Sequence, residues 1–316
     1  MGERWMQWAV AEGMAKSVGR LLHKFIGVAS GSLAGALWST FLVGAIQTAS
    51  GILVAPLLRG RSLWAGWGRI TGGILFGIIA SVMTVLAVVS FTYPGADVGI
   101  TTFIVATSII PGAFIDWAFF RHPLKGRQWL GVGVFLVAGY AMLNFPPLDA
   151  LALLPPWVWL SAGIALLAAC NEGITQWQGR GGAERLDPLV NNFWVGLTTL
   201  VCTGLGLLIL GSWGAGRAFG WGFWIGSALA GIVIVSMLSF KLLSYQGGGS
   251  IALKKLIMQG TYLTAATILG MLVYREPFTP GKIIGIVGFF IAFTFMDEGT
   301  WQFMTHRLRP AGGRGR

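Results

Sequence analysis

The sequence predicts an all-α, multi-pass membrane protein of ten transmembrane helices, arranged as two inverted repeats of five. Three observations predict it. First, 55% of the residues are hydrophobic and only 10% are charged, with a mean hydropathy of +0.72. Soluble domains carry about 25% charged residues, and a soluble core cannot hide this much apolar surface. Second, apolar runs of roughly 20 residues recur between short polar turns, which suits helices rather than alternating barrel strands. Third, one 22-residue stretch has an approximate copy, with six identical positions, about half a chain away.

In chain order, residues 1–24 are the most charged apolar segment. Arg4, Glu12, Lys16, Arg20 and Lys24 interrupt it. Its acidic residues and broken apolar run exclude a secretory signal. It reads as an amphipathic surface helix or as a short first spanning helix over 5–22. The clear spans follow at 27–54, 70–92, 98–120, 129–145, 157–178, 189–211, 221–244, 251–274 and 283–297. In the first of these, Gly27, Gly31 and Gly35 recur every four residues, a small-residue stripe for helix contact. Pro111 predicts a kink in the 98–120 helix. Trp64 and Trp67, flanked by Arg59, Arg61 and Arg69, carry the signature of a membrane interface. The residues after Arg307 read as a basic, disordered tail.

Charge placement favours ten helices over nine. With 5–22 as the first span, one side holds Arg4, Arg59, Arg61, Arg69, Arg121, Lys125, Arg127, Arg180, Arg185 and the arginines of the tail. The other holds Arg20, Lys24, Arg217, Arg275 and Lys282. The excess of basic residues places both termini in the cytoplasm, in a plasma membrane protein. The +11 net charge is explained by this topology, so no nucleic-acid partner is expected.

The repeat aligns RHPLKGRQWLGVGVFLVAGYAM, from Arg121, with REPFTPGKIIGIVGFFIAFTFM, from Arg275, without gaps. Arg121 matches Arg275, Pro123 matches Pro277 and Gly131 matches Gly285. Phe135 matches Phe289, Ala138 matches Ala292 and Met142 matches Met296. A second echo pairs AVAEGMAKSVGR with ACNEGITQWQGR, setting Glu12 against Glu172. An odd number of helices per copy turns the second copy upside down. The halves are then 1–150 and 151–300, with a basic cytoplasmic tail at 301–316.

A turn of the form (Arg/Glu)-x-Pro-(Leu/Phe), followed by a helix opening on an x-(Ile/Leu)-Gly-(Val/Ile) step, after the fourth and ninth helices of ten, resembles the drug/metabolite transporter superfamily with its EamA-like repeats. Glu276 stands where that family has its acidic turn residue; His122 takes the place in the first half, a departure. The first helix is also shorter and more charged than the family's. The resemblance implies alternating-access transport of a small organic solute through a cavity between the halves, with no covalent chemistry and no cofactor. The turn before Lys254 and Lys255 looks like that of the nucleotide-sugar and triose-phosphate branch, where a lysine grips substrate phosphate.

Ionisable residues in apolar helices need a partner or a role. Lys254 and Lys255 stand about one turn into a helix. Either their stems snorkel to the headgroups, or one faces the cavity and binds an anionic group near the positive helix end. Gln259 and Tyr262 share a face with Lys255 and suit either a solute cavity or inter-helix hydrogen bonds. Glu172, beside Asn171, reads as a lysine-paired acid or as a proton-coupling carboxylate. Asp116 reads as a helix-end acid or a cavity group. Lys241 reads as a headgroup lysine. Trp38, Asn191, Asn192 and Trp194 are weaker lining candidates. His23, His122 and His306 are isolated, so no metal-ligand spacing occurs. Cys170 and Cys202 read as small core residues. No P-loop occurs, which argues against a primary pump. The function expected is a secondary transporter of a small organic solute, monomeric or homodimeric, with protons as a candidate coupling ion. A flippase for a lipid or lipid-linked sugar, or a non-transporting assembly subunit, is the alternative.

Overall fold

In the computed structural model, residues 4–60, 62–112, 114, 125–147, 153–179, 186–247 and 251–302 are described. Among them the chain forms α-helices and no strand. In chain order these are α1 (Arg4–Ser30), α2 (Leu33–Ile52), α3 (Trp67–Ser90), α4 (Val98–Ala106) and α5 (Gly126–Met142). Then come α6 (Pro156–Gly179), α7 (Pro188–Ile209), α8 (Trp221–Gln246), α9 (Ile251–Tyr274) and α10 (Pro280–Met296). Among the described residues, six stretches are long and apolar enough to cross a membrane: Leu33–Leu57, Trp67–Ser90, Pro156–Thr175, Pro188–Ile209, Trp221–Gln246 and Lys254–Tyr274. Val98–Gly112 and Pro280–Met296 are shorter apolar helices. Leu136, Ile209 and Leu272 stand more than 60% exposed on the outer faces, as lipid-facing side chains do.

The first helix corrects the sequence reading. It is not short: α1 runs unbroken for 27 residues through Lys24. It contains no proline, and its charged residues fall on one face rather than interrupting it. The break comes at Gly31, whose φ of +57° only glycine adopts without strain. Ser32 then caps α2 by accepting from the Gly35 N–H. The proposed glycine stripe is therefore split. Gly27 lies against Val88 of α3 and Phe91 just past it, Gly31 makes the turn, and Gly35 meets Ser30 and Phe219.

Proline shapes two further elements. α2 widens into a π-helical segment, Leu53–Leu58, around Pro56. The helix containing Pro111 is interrupted at Thr107 and Ser108, because Pro111 has no N–H to return to the Thr107 carbonyl. The expected kink is thus one turn before the proline. Asp116, and most of the tail after Trp301, lie outside the described residues.

α2 packs on α7, α5 on α10, and α4 on α9. α1 packs on α8 and α9, α3 on α6 and α7, α2 also on α8, and α4 also on α6. Small residues permit close crossings. A Cβ on Gly44 of α2 would stand 2.6 Å from the Leu200 nitrogen of α7. The α5–α10 contact uses the matched residues of the repeat. Gly131 lies against Met296 and Gly285 against Met142, and the Phe135 and Phe289 rings meet edge-on with centroids 5.7 Å apart. With Phe103 of α4, Leu263 of α9 and Phe293 they form one buried apolar cluster.

Side-chain contacts fix which helix ends share a level. The start of α1 meets the ends of α6 and α8 and the start of α9, here the near end. The finish of α1 meets the start of α4, the finish of α9 and the start of α10, the far end.

Candidate functional site

The site is organised by α1. Glu12, Lys16, Arg20 and Lys24 recur every four residues, so they form one stripe up a single helix face. At 1.5 Å per residue the stripe is about 18 Å long. It runs from the near end to the far end of the bundle.

At the near end, Glu12 is fully buried and pairs with Lys16 at 3.0 Å and with Lys254 of α9 at 2.8 Å. The Lys254 ammonium also stands 4.1 Å from the centre of the Tyr245 ring. The Tyr245 hydroxyl donates to Glu172 of α6 at 3.0 Å, and the second carboxylate oxygen of Glu172 pairs with Lys241 of α8 at 3.1 Å. One network therefore joins α1, α6, α8 and α9. Each charge in it has an opposite charge or an aromatic face, as buried ionic groups require.

At the far end a second network joins α1, α4, α9 and α10. Lys24 pairs with Glu276 at 2.8 Å and donates to the Ala96 carbonyl at 2.9 Å. Glu276 accepts from the Val98 N–H at 2.7 Å. Lys282 pairs with Asp97 at 2.6 Å, while Asp97 also accepts from the Ile100 N–H and so caps α4. Glu276 and Asp97 thus place negative charge on the positive end of a helix. Burial, and then the adjacent Asp97, hold the Glu276 carboxyl above the usual carboxylate range.

Between the two networks lies a cavity of about 180 Å3. It takes side chains from α1, α2, α3, α6, α7, α8 and α9, together with Val105 of α4 and Ser108 just past it, but none from α5 or α10. Its polar lining includes Lys16, Arg20, His23, Gln47, Asn171, Glu172, Lys241, Gln259 and Tyr262. Its apolar lining includes Val43, Phe76, Met83, Val195, Ile234 and Leu238. The arrangement can hold a small molecule with a polar group and an apolar body. Among the described residues no group of three His, Cys, Asp or Glu side chains could hold a metal ion.

The structure sorts the sequence-predicted residues. Asn171, Glu172, Gln259 and Tyr262 come together in the cavity wall. Lys254 does not line it, and it does not snorkel either. It is 0% exposed and consumed by Glu12 and Tyr245. Lys255 is half-buried and stands outside the cavity lining. Trp194 is a packing residue whose indole donates to the Leu63 carbonyl at 2.9 Å. Trp38 packs on Trp213 and Trp224. Asn192 bonds to Ser239, and Gln47 donates to Asn192. Asn191 accepts from Gln178. Lys241 is not at the headgroups; it is buried and lines the cavity. Glu172 takes the paired geometry of its two readings.

The helix spacing does not match the second sequence echo, which pairs Glu12 with Glu172. α6 begins 152 residues after α1, whereas the echo needs a spacing of 160. The two acids meet because Glu12 is near the start of α1 and Glu172 near the end of α6, at one level. Sequence reasoning missed Glu12, Lys16, Arg20 and His23 as site residues. The four-residue spacing of the α1 charges was the available signal, and it was hidden by ending that helix at residue 22.

Among the described residues, fold and site together define a helical membrane protein with a mainly apolar cavity, carrying a few charged and polar groups, walled by both halves of the chain. No protein-family model matches the chain, and no curated protein matches it. The chain is similar in fold to a solved structure titled only "Crystal structure of protein", with a TM-score of 0.60 and 14% identity. That similarity covers 94% of this chain and 98% of the other.

Proposed function

We propose that the protein is a secondary transporter that moves a small organic solute across a membrane by alternating access. The observation that carries this reading is the cavity itself. It is lined from both halves of the chain; Lys16, Glu172 and Lys241 of the near network stand in its wall, and Lys24 of the far network follows directly on the lining residue His23. A central site with one closure on either side is what alternating access needs.

The internal symmetry supports the reading. α6 to α10 begin 152–155 residues after α1 to α5, in order. The packing pairs exchange in the same way. α1 on α8 corresponds to α6 on α3, α1 on α9 to α6 on α4, and α2 on α8 to α7 on α3. The pairs α2–α7, α4–α9 and α5–α10 map onto themselves. With five helices per half the copies are inverted, and rocking of one against the other opens the cavity to alternate sides. The similarity to drug/metabolite transporters seen in the turn motifs agrees with this arrangement.

Uptake of radiolabelled metabolites into proteoliposomes tests the proposal. Saturable flux for at least one member of a broad panel is expected. Linear, protein-independent leakage for every member would contradict it.

A further inference from the structure

Arg20 is the one cation of the α1 stripe that no acid claims. Lys16 has Glu12 at 3.0 Å and Lys24 has Glu276 at 2.8 Å. Arg20, between them, makes no ion pair among the described residues. Yet it is only 4% exposed and lines the cavity. Its Nε donates to the Thr101 hydroxyl at 3.3 Å, and its guanidinium stands 5.0 Å from the centre of the Phe91 ring. Its Nη2 is buried with no hydrogen-bond partner, as is Nε2 of His23 one turn on.

A guanidinium stays protonated in proteins, so this charge cannot be discharged by losing a proton. A buried, uncompensated charge is costly and calls for a counter-ion. The surrounding charges do not provide one. In and immediately behind the cavity wall, Lys16, Arg20, Lys241 and Lys254 face only Glu12 and Glu172. The two carboxylates are already held by the three lysines. The cavity is left with a net positive charge, part of it shared among the three lysines and the rest on Arg20, which has no acid of its own and stands beside an apolar wall of Val43, Phe76 and Leu238.

We propose that the cavity binds a small organic carboxylate, with its carboxylate on Arg20 and its apolar body against that wall. The free edge of the guanidinium accepts a planar oxyanion through parallel N–H donors. His23, as the Nε2–H tautomer, adds a donor. This assignment rests on the transport reading for its purpose but not for its test.

The test is binding to the purified full-length protein in detergent. Benzoate, phenylacetate and cyclohexanecarboxylate are each compared with the neutral amide of the same skeleton, by thermal shift and calorimetry. At least one carboxylate should raise Tm and bind at least tenfold more tightly than its amide. Arg20→Gln should abolish that preference, and Arg20→Lys, which keeps the charge but loses the fork, should weaken binding several-fold. Arg59→Gln, at an exposed pair with Asp187, should leave it unchanged. Two results overturn the proposal: no carboxylate preference in the wild type, or an equal preference in both Arg20 variants. Should Arg20→Gln not fold, the Arg20→Lys series and the wild-type amide comparison still decide. Carboxylate binding without flux in proteoliposomes would sink transport and leave this site standing. Flux of neutral solutes without carboxylate binding would do the reverse.

Discussion

Phe135 of α5 and Phe289 of α10 occupy matched positions of the repeat, and they touch each other, ring centroids 5.7 Å apart. In a two-fold arrangement only residues near the axis can meet their own counterparts. The neighbours behave accordingly: Gly131 faces Met296 while Gly285 faces Met142. The proposed axis therefore passes between α5 and α10, away from the cavity. These two helices contribute no side chain to the cavity lining.

The α5–α10 contact makes paired substitutions informative. A Cβ on Gly131 would stand 3.0 Å from the Ala292 carbonyl oxygen, a backbone atom that cannot swing away. Gly131→Leu and Gly285→Leu should each destabilise by about 1–3 kcal/mol through overpacking. Gly133, on the same helix with nothing within 4 Å of a Cβ, should accept alanine within about 0.5 kcal/mol. Unfolding in detergent, followed by circular dichroism, checks all three.

At the near end the two neighbouring lysines should separate cleanly. Glu12→Gln leaves Lys254 buried without its acid and should cost about 3–5 kcal/mol. Adding Lys254→Met should restore much of that loss, because the stranded charge is gone. Lys255→Gln should change stability by about 0.5 kcal/mol or less. The same unfolding measurement on the three variants decides it.

At the far end the acid Glu276 sets a pH response. Burial and Asp97 raise its carboxyl above the ordinary 4.5. The folded state then keeps a proton that the unfolded chain has already released. Stability should therefore fall as pH rises from 4.5 through the raised value. Glu276→Gln should flatten that part of the profile. Thermal midpoints recorded from pH 4.5 upward in both proteins test the sign.

Much of this architecture is legible before any coordinates. The apolar runs locate α2, α3 and α6 to α10 because a lipid-facing helix must be apolar over its whole length. The Arg121 and Arg275 repeats locate the α5–α10 seam because contact there demands small and bulky residues in register. α1 is different. Its charges face a cavity and other helices, so its composition resembles that of a surface segment, and its end at Gly31 carries no proline or charge to announce it. The site follows the same division. Asn171, Glu172, Gln259 and Tyr262 were visible as polar residues in apolar runs. Lys254 was visible too, but whether a buried lysine meets solute or a carboxylate depends on α1, eight helices earlier in the chain. Arg20 was read as a topological charge because the helix around it was cut short.

The most direct measurement of the central claim is sided access to the cavity. Cys170 and Cys202 are replaced by serine, and Thr84, which lines the cavity, is changed to cysteine. A membrane-impermeant maleimide is then applied to right-side-out and to inverted vesicles. Labelling from each face in turn, slowed by a transported solute, is the predicted result. Labelling confined to one face, or absent from both, would contradict alternating access.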